Sequence, residues 1–166
     1  METSFTLSGS RTKAERYERF LQQFASLIAD EHDTVSVLAN TAAALREAFG
    51  WFWVGFYLVK DAEWLSLGPF QGSVACYRIR KGKGVCGTAW ATGQTQVVPD
   101  VDRFPGHIAC SSLSRSESVV PLAAPSGALK GVLDIDSDCL NGFDETDRHY
   151  LEQVCALLGN TLFPTE

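Results

Sequence analysis

The sequence predicts an α+β fold, an antiparallel sheet with helices packed against it. Three observations carry that reading. Near both ends of the chain apolar residues recur at three-four spacing, the period of an amphipathic helix. Between the ends they gather instead into short runs rich in aromatic and β-branched residues, as strands do. Those runs are joined mostly by short turns, which favours hairpins over crossovers.

Residues 1–11 are expected to form a loose, polar N-terminal segment, and 12–166 a single domain. From Lys13 to Ala29 the apolar stripe is Tyr17, Phe20, Leu21, Phe24, Leu27 and Ile28. Asp33 is a good N-cap for a second helix. Its stripe is Val35, Leu38, Ala42, Leu45 and Phe49, and Gly50 ends it. Trp51–Val59 reads as a buried strand, followed by a turn at Lys60–Ala62 and a return strand from Glu63 to Leu67. Gly68–Ser73 reads as a loop and Ala75–Arg80 as a short strand. A short helix is expected over Val85–Thr92, between glycines, and a short strand over Thr95–Val98. An irregular stretch with one possible helical turn follows. Two strands then flank a Pro125–Gly127 turn: Glu117–Ala124 and Ala128–Ser137. Asp144 caps the last helix, with Asp147 placed as in a capping box. That helix buries Tyr150, Leu151, Val154, Leu157, Leu158 and Leu162.

The 166 residues suit one compact domain with a real core. A net charge of -6 argues against non-specific binding to nucleic acid or to an anionic membrane, whose phosphates it repels. The most apolar run, Trp51–Val59, is far too short to span a bilayer. The N-terminus lacks the basic start and apolar stretch of a signal peptide. Five cysteines, an odd number, with no secretion signal point to free thiols in the cytoplasm.

Three of those cysteines lie in or beside glycine-rich or irregular backbone: Cys76, Cys86 in Gly-Val-Cys-Gly-Thr, and Cys110 in His-Ile-Ala-Cys-Ser-Ser. Each of the three, taken singly, reads as readily as a small buried hydrophobe. Cys155 sits on the apolar side of the last helix and reads as core; Cys139 lies in a polar turn as an ordinary thiol. Two thiols together can reduce a substrate: one attacks and is left as a sulfenic acid, and the second condenses with it to a disulfide. Such a reaction needs a proton donor, for which Glu117, Asp134 and Asp136 are candidates. Asp134 and Asp136 are two apart on one strand and share a face, with Leu133 and Ile135 on the other. A solvated sheet face is the plainer reading of that pair. Trp53, with Phe56 or Tyr57, is either core or the wall of a pocket. His107 either polarises Cys110 or fixes its loop.

The blocks WVGFYL, GPFQGSVACYRI, GKGVCGTAWATGQTQVVPDV, FPGHIACSSLSRSESVVPL and GVLDIDS resemble, in order, the signatures of free methionine-(R)-sulfoxide reductases, which are GAF-domain enzymes. The resemblance implies a six-stranded antiparallel sheet, often in a homodimer, and an enzyme that uses no metal or organic cofactor. It implies reduction of the free amino acid, with electrons from thioredoxin or a similar dithiol, as part of the response to oxidative stress. By position in the motifs Cys110 corresponds to the attacking thiol, Cys76 to the resolving thiol, and Cys86 to a third family cysteine. Glu117, Asp134 and Asp136 correspond to the acids that hold the substrate amine or protonate the sulfoxide oxygen. Trp53 corresponds to the aromatic wall beside the methyl group, with Tyr57 in the same pocket. Two positions depart from the pattern: Ser111 stands where an acidic residue is expected, and Trp90 where a small one is. The rival readings are a GAF module that binds a small molecule without reacting, and a zinc site from Cys76, Cys86, His107 and Cys110.

Overall fold

The computed structural model describes residues 12–165 and, within the N-terminal stretch, Phe5, Leu7 and Gly9. The expectation of a loose segment over residues 1–11 therefore lies mostly outside the described residues. Within it, Phe5 is buried against the Phe20 ring.

Two helices open the fold, α1 (Lys13–Ile28) and α2 (Thr34–Phe49). Thr12 caps α1 by accepting from the Glu15 N–H, and Asp33 caps α2 by accepting from the Ser36 N–H. Gly50 stops α2 at φ 75°, a conformation that glycine adopts without a Cβ clash. Strands β1 (Trp53–Val59), β2 (Trp64–Gln71) and β3 (Arg78–Arg80) follow. Then come α3 (Gly84–Thr92), β4 (Gln96–Val98), a 3-10 turn at Val101–Arg103, β5 (Ser116–Ala123) and β6 (Leu129–Ser137). The last helix, α4 (Glu145–Leu162), starts with the expected capping box between Asp144 and Asp147.

All neighbouring strands pair antiparallel, and the sheet runs β3-β2-β1-β6-β5-β4. The predicted α+β class and six-stranded antiparallel sheet are what the chain forms. One face carries α1, α2 and α4, whose apolar stripes pack on Val54, Phe56, Val120, Leu122, Leu133 and Ile135. Asp147 also ties the first helix to the last: it accepts from the Tyr17 hydroxyl at 2.6 Å and the Lys13 ammonium at 2.7 Å. The other face holds a second cluster, with Trp53, Tyr57, Val119 and Val132 from the sheet and Val85, Cys86, Ala89 and Trp90 from α3.

Four local expectations need correcting. Val35 is 65% exposed, and α2 buries Val37, Thr41 and Ala44 beside Leu38, Ala42 and Leu45. The first strand starts at Trp53 rather than Trp51. The expected loop Gly68–Ser73 is largely strand, because β2 runs to Gln71. Its pairing with β1 holds one extra residue between Leu67 and Phe70, so Pro69 falls in a bulge, where a missing N–H does little harm. Finally, Cys76 is not in a strand. Of Ala75–Arg80 only Arg78–Arg80 pair with β2, and Val74–Cys76 leave the sheet as a loop.

Candidate active site

The same alternation that fills the helix-covered core points a different set of side chains the other way. On β6, Leu133 and Ile135 face the helices while Asp134 and Asp136 face the second layer. Glu117 on β5 pairs with Asp136 on β6, so the three carboxyl groups lie on adjacent strands. They border one pocket together with Trp53, Tyr57, Cys86, His107 and Cys110. All of these belong to the sites the sequence singled out, and the fold brings them to one place.

Cys76 and Cys110 are joined as a disulfide, and Cys110 borders the pocket. Two aromatic side chains on β1 hold the loop that carries Cys76. Trp53 Nε1 donates to the Ser73 carbonyl at 2.9 Å, and the Tyr57 hydroxyl donates to the Cys76 carbonyl at 3.0 Å. Of residues 75–77, Tyr77 still bonds β2, its carbonyl accepting from the Leu67 N–H at 2.9 Å. The Trp53 indole stacks against Phe70, ring centroids 5.3 Å apart. Gly55 lies beneath that pair, where any Cβ would collide with both Trp53 and Phe70.

The carboxyl groups are not solvated. Glu117 and Asp134 keep only 6% and 7% of their surface, which removes the reading of a solvated sheet face. Burial, and then the Asp136 charge, push Glu117 up to about 8. Burial and neighbouring carboxylates likewise hold Asp134 and Asp136 well above the carboxylate range. Asp134 Oδ1 is buried with no hydrogen-bond partner among the described residues. Asp136 accepts from the Ser114 hydroxyl at 2.8 Å. His107 Nε2 lies 3.6 Å from Glu117 Oε2. Burial lowers the His107 pKa, so a protonated Glu117 and a neutral imidazole meet at pH 7 rather than an ion pair. His107 thus faces an acid as well as the Cys110 loop.

Cys86 sits at the floor, its Sγ 3.9 Å from Glu117 Oε1. Burial and then the Asp134 and Glu117 carboxylates push this thiol up, so it is neutral and donates. Cys86, Glu117 and Asp134 bring one ligand atom each within 4.8 Å of one another. Such donors suit a divalent cation and equally an ammonium group. The zinc set weighed from sequence is not available in this form, since Cys76 and Cys110 are spent on each other. Cys155 is buried among the helices, and Cys139 is an exposed thiol beside Asp138. Ser111, in its departing position, accepts from the Leu113 N–H at 3.2 Å, a turn contact that an aspartate could also make. Trp90 is buried in the second cluster with the Lys81 ammonium 4.9 Å from its ring centroid. Sequence reasoning missed Ser114: nothing in Ser-Leu-Ser-Arg distinguishes the serine that meets Asp136.

The GAF domain model matches residues 33–162. A free methionine-R-sulfoxide reductase of Escherichia coli is 45% identical over 155 residues, covering 93% of each chain. The chain belongs to the free methionine-R-sulfoxide reductases of the GAF family. The X-ray structure of the family's Neisseria meningitidis member, in complex with its substrate, superposes with a TM-score of 0.89 at 56% identity over 95% of each chain. GAF domain-containing protein A of Dictyostelium discoideum is 57% identical, covering 90% of this chain and 94% of its own. Among the described residues no helix is long and apolar enough to cross a membrane.

Proposed function

We propose that this protein reduces free L-methionine (R)-S-oxide to L-methionine, using Cys110 as the attacking thiol and Cys76 as the resolving thiol. The observation that carries the reading is the Cys76–Cys110 disulfide, whose Cys110 borders the pocket that also holds the buried carboxyl groups of Glu117 and Asp134. In the reduced enzyme the Cys110 thiolate attacks the sulfoxide sulfur while Glu117 gives a proton to its oxygen. Methionine departs and Cys110 is left as a sulfenic acid. The Cys76 thiol attacks that sulfur, water leaves, and the disulfide closes. Two thiols are oxidised and one sulfoxide is reduced, so a dithiol such as thioredoxin must reopen the bond.

The pocket also suits a free amino acid. Asp134 Oδ1, buried and unpartnered, is placed to accept from the substrate ammonium, with Asp136 beside it. The first turn of α3, at Gly84, Val85 and Cys86, lines the same pocket, and its N–H groups have no intrahelical acceptors. They are suited to the substrate carboxylate. Trp53 offers a flat apolar wall to the methyl end. Cys86, neutral and hydrogen-bonded to the acids, acts as a proton-holding neighbour of Glu117 rather than as a nucleophile. A module that only binds would have no use for a disulfide whose Cys110 borders the pocket. The free thiols Cys86, Cys139 and Cys155 fit a reducing compartment, the cytoplasm. The homodimer remains a proposal that light scattering decides.

Cys110→Ser is expected to form no methionine from free methionine (R)-sulfoxide with dithiothreitol present, as followed by amino-acid chromatography. Appreciable turnover in that variant overturns the assignment of the attacking thiol.

A further inference from the structure

The described residues include six large apolar side chains left in solvent, and four of them flank the two bonded cysteines along the chain. Val74 (87% exposed) and Tyr77 (82%) flank Cys76; Ile108 (39%) and Leu113 (64%) flank Cys110. Each lies within three residues of one of the two bonded cysteines. Val74 and Ile108 also both border the pocket. Cys76 and Cys110 are themselves only half-buried, so the bond is partly open to solvent. Exposed apolar side chains scattered singly need no explanation, but four on the two loops that carry a disulfide do.

We propose that Val74, Tyr77, Ile108 and Leu113 form the docking surface for a protein dithiol of the thioredoxin class. The proposal rests on the reductase reading for its need of electrons. The chemistry fixes the occupant. A disulfide is reopened by a thiolate that attacks one sulfur in line with the bond, and a protein thiolate reaches it only if the protein covers the two loops. Tyr77 and Val74, the most exposed of the four, border Cys76, so the partner's thiolate attacks Cys76 Sγ. The Cys76–Cys110 bond breaks, Cys110 leaves as a thiolate into the pocket, and a mixed disulfide forms between Cys76 and the partner. The partner's second thiol then attacks its own sulfur in that bond. Cys76 is released as a thiol, and the partner is left with an internal disulfide. One protein disulfide is reduced and one is formed, with no other reactant. A small apolar surface around the reacting sulfurs gives enough contact for brief docking and leaves room for rapid release.

The test uses the oxidised full-length protein without any sulfoxide, so it does not depend on the catalytic reading. Reduction of the Cys76–Cys110 bond is followed by thiol alkylation and mass spectrometry, once with reduced thioredoxin and once with dithiothreitol. The double variant Tyr77→Ser, Leu113→Ser should slow reduction by thioredoxin about tenfold, a loss of ~1.4 kcal/mol of docking, and leave the dithiothreitol rate unchanged. Val35→Ser, an exposed apolar residue on α2, should alter neither rate. An unchanged thioredoxin rate in the double variant, equal slowing by both reductants, or equal slowing in Val35→Ser each overturns the proposal. The reductase reading is tested apart from this, by whether the reduced protein forms one methionine per chain in a single turnover.

Discussion

The two faces of the sheet are built from the same strands and obey opposite rules. On the helix-covered face Val54, Phe56, Val120, Leu122, Leu133 and Ile135 are apolar, fully buried and matched to three helices. On the other face Glu117 and Asp134 are buried almost as deeply, yet they are carboxyl groups crowded against a thiol and a third acid. Burying an unpaired charge is costly, and these groups meet that cost by staying protonated. One face therefore holds the fold together, and the other is a local liability whose use is chemical. The contrast predicts that changes on the two faces move stability and activity separately.

The largest expected effect is on the site face. Glu117→Gln should cut methionine formation about 10²–10⁴-fold, the span a positioned proton donor usually contributes. Its fold should survive, because glutamine keeps the shape and loses only the proton. In the wild type kcat/KM should fall as pH rises above about 8, where Glu117 loses that proton. A full-speed Glu117→Gln enzyme would move the donor to Asp134 or Asp136. The matching change on the helix face is Leu133→Ala, which should destabilise by ~2–5 kcal/mol through lost burial and a residual cavity. Denaturant unfolding measures that loss, and kcat/KM of the still-folded fraction should stay near wild type.

A smaller effect sharpens the contrast through pH. The folded protein holds the Glu117 proton up to about 8, whereas an ordinary glutamate loses it near 4.5. Between those values the folded state binds more protons than the unfolded chain. Stability is therefore full at acid pH and falls as pH rises, by ~1.4 kcal/mol per pH unit for this group. Asp134 and Asp136 act in the same direction. Glu117→Gln should flatten the plot of Tm against pH over this window and raise Tm at its upper end. If the two plots run parallel, the burial of Glu117 carries no such cost.

The two faces were also unequally legible in the sequence. Periodicity located the helices and their stripes because a packed helix must repeat its apolar residues every turn, and it failed at Val35, where a first-turn residue points outward. Alternation on β6 separated Leu133 and Ile135 from Asp134 and Asp136, but it could not say that the acids are buried. That depends on α3 and the cysteine loops covering them, a long-range matter that no local pattern records. The β2 bulge was hidden because Gly68 and Pro69 are turn-forming residues that here sit inside a strand. Cys76 departs from the strand expectation for a related reason: residues 75–77 have strand-like composition, but the Cys76 carbonyl bonds the Tyr57 hydroxyl of β1, and only the Tyr77 carbonyl bonds the β2 backbone.

The smallest effect concerns one of those bonds, where a residue of the site face does structural work. The Tyr57 hydroxyl donates to the Cys76 carbonyl and so fixes the backbone of the resolving cysteine. Burial, followed by the nearby Asp134 carboxylate, raises the Tyr57 pKa, which keeps the hydroxyl a donor at any working pH. Tyr57→Phe keeps the ring and removes the bond, worth ~0.5–1.5 kcal/mol net. Disulfide closure should then slow by roughly tenfold or less, the rate equivalent of that energy. The first methionine per chain should still appear at the wild-type rate, because Cys110 and Glu117 are untouched. Rapid quenching, with a sulfenic-acid probe to trap Cys110, reads the two steps separately. A longer-lived sulfenic acid with an unchanged first step marks Tyr57 as a positioning residue for Cys76. A slowed first step would instead place its hydroxyl against the substrate.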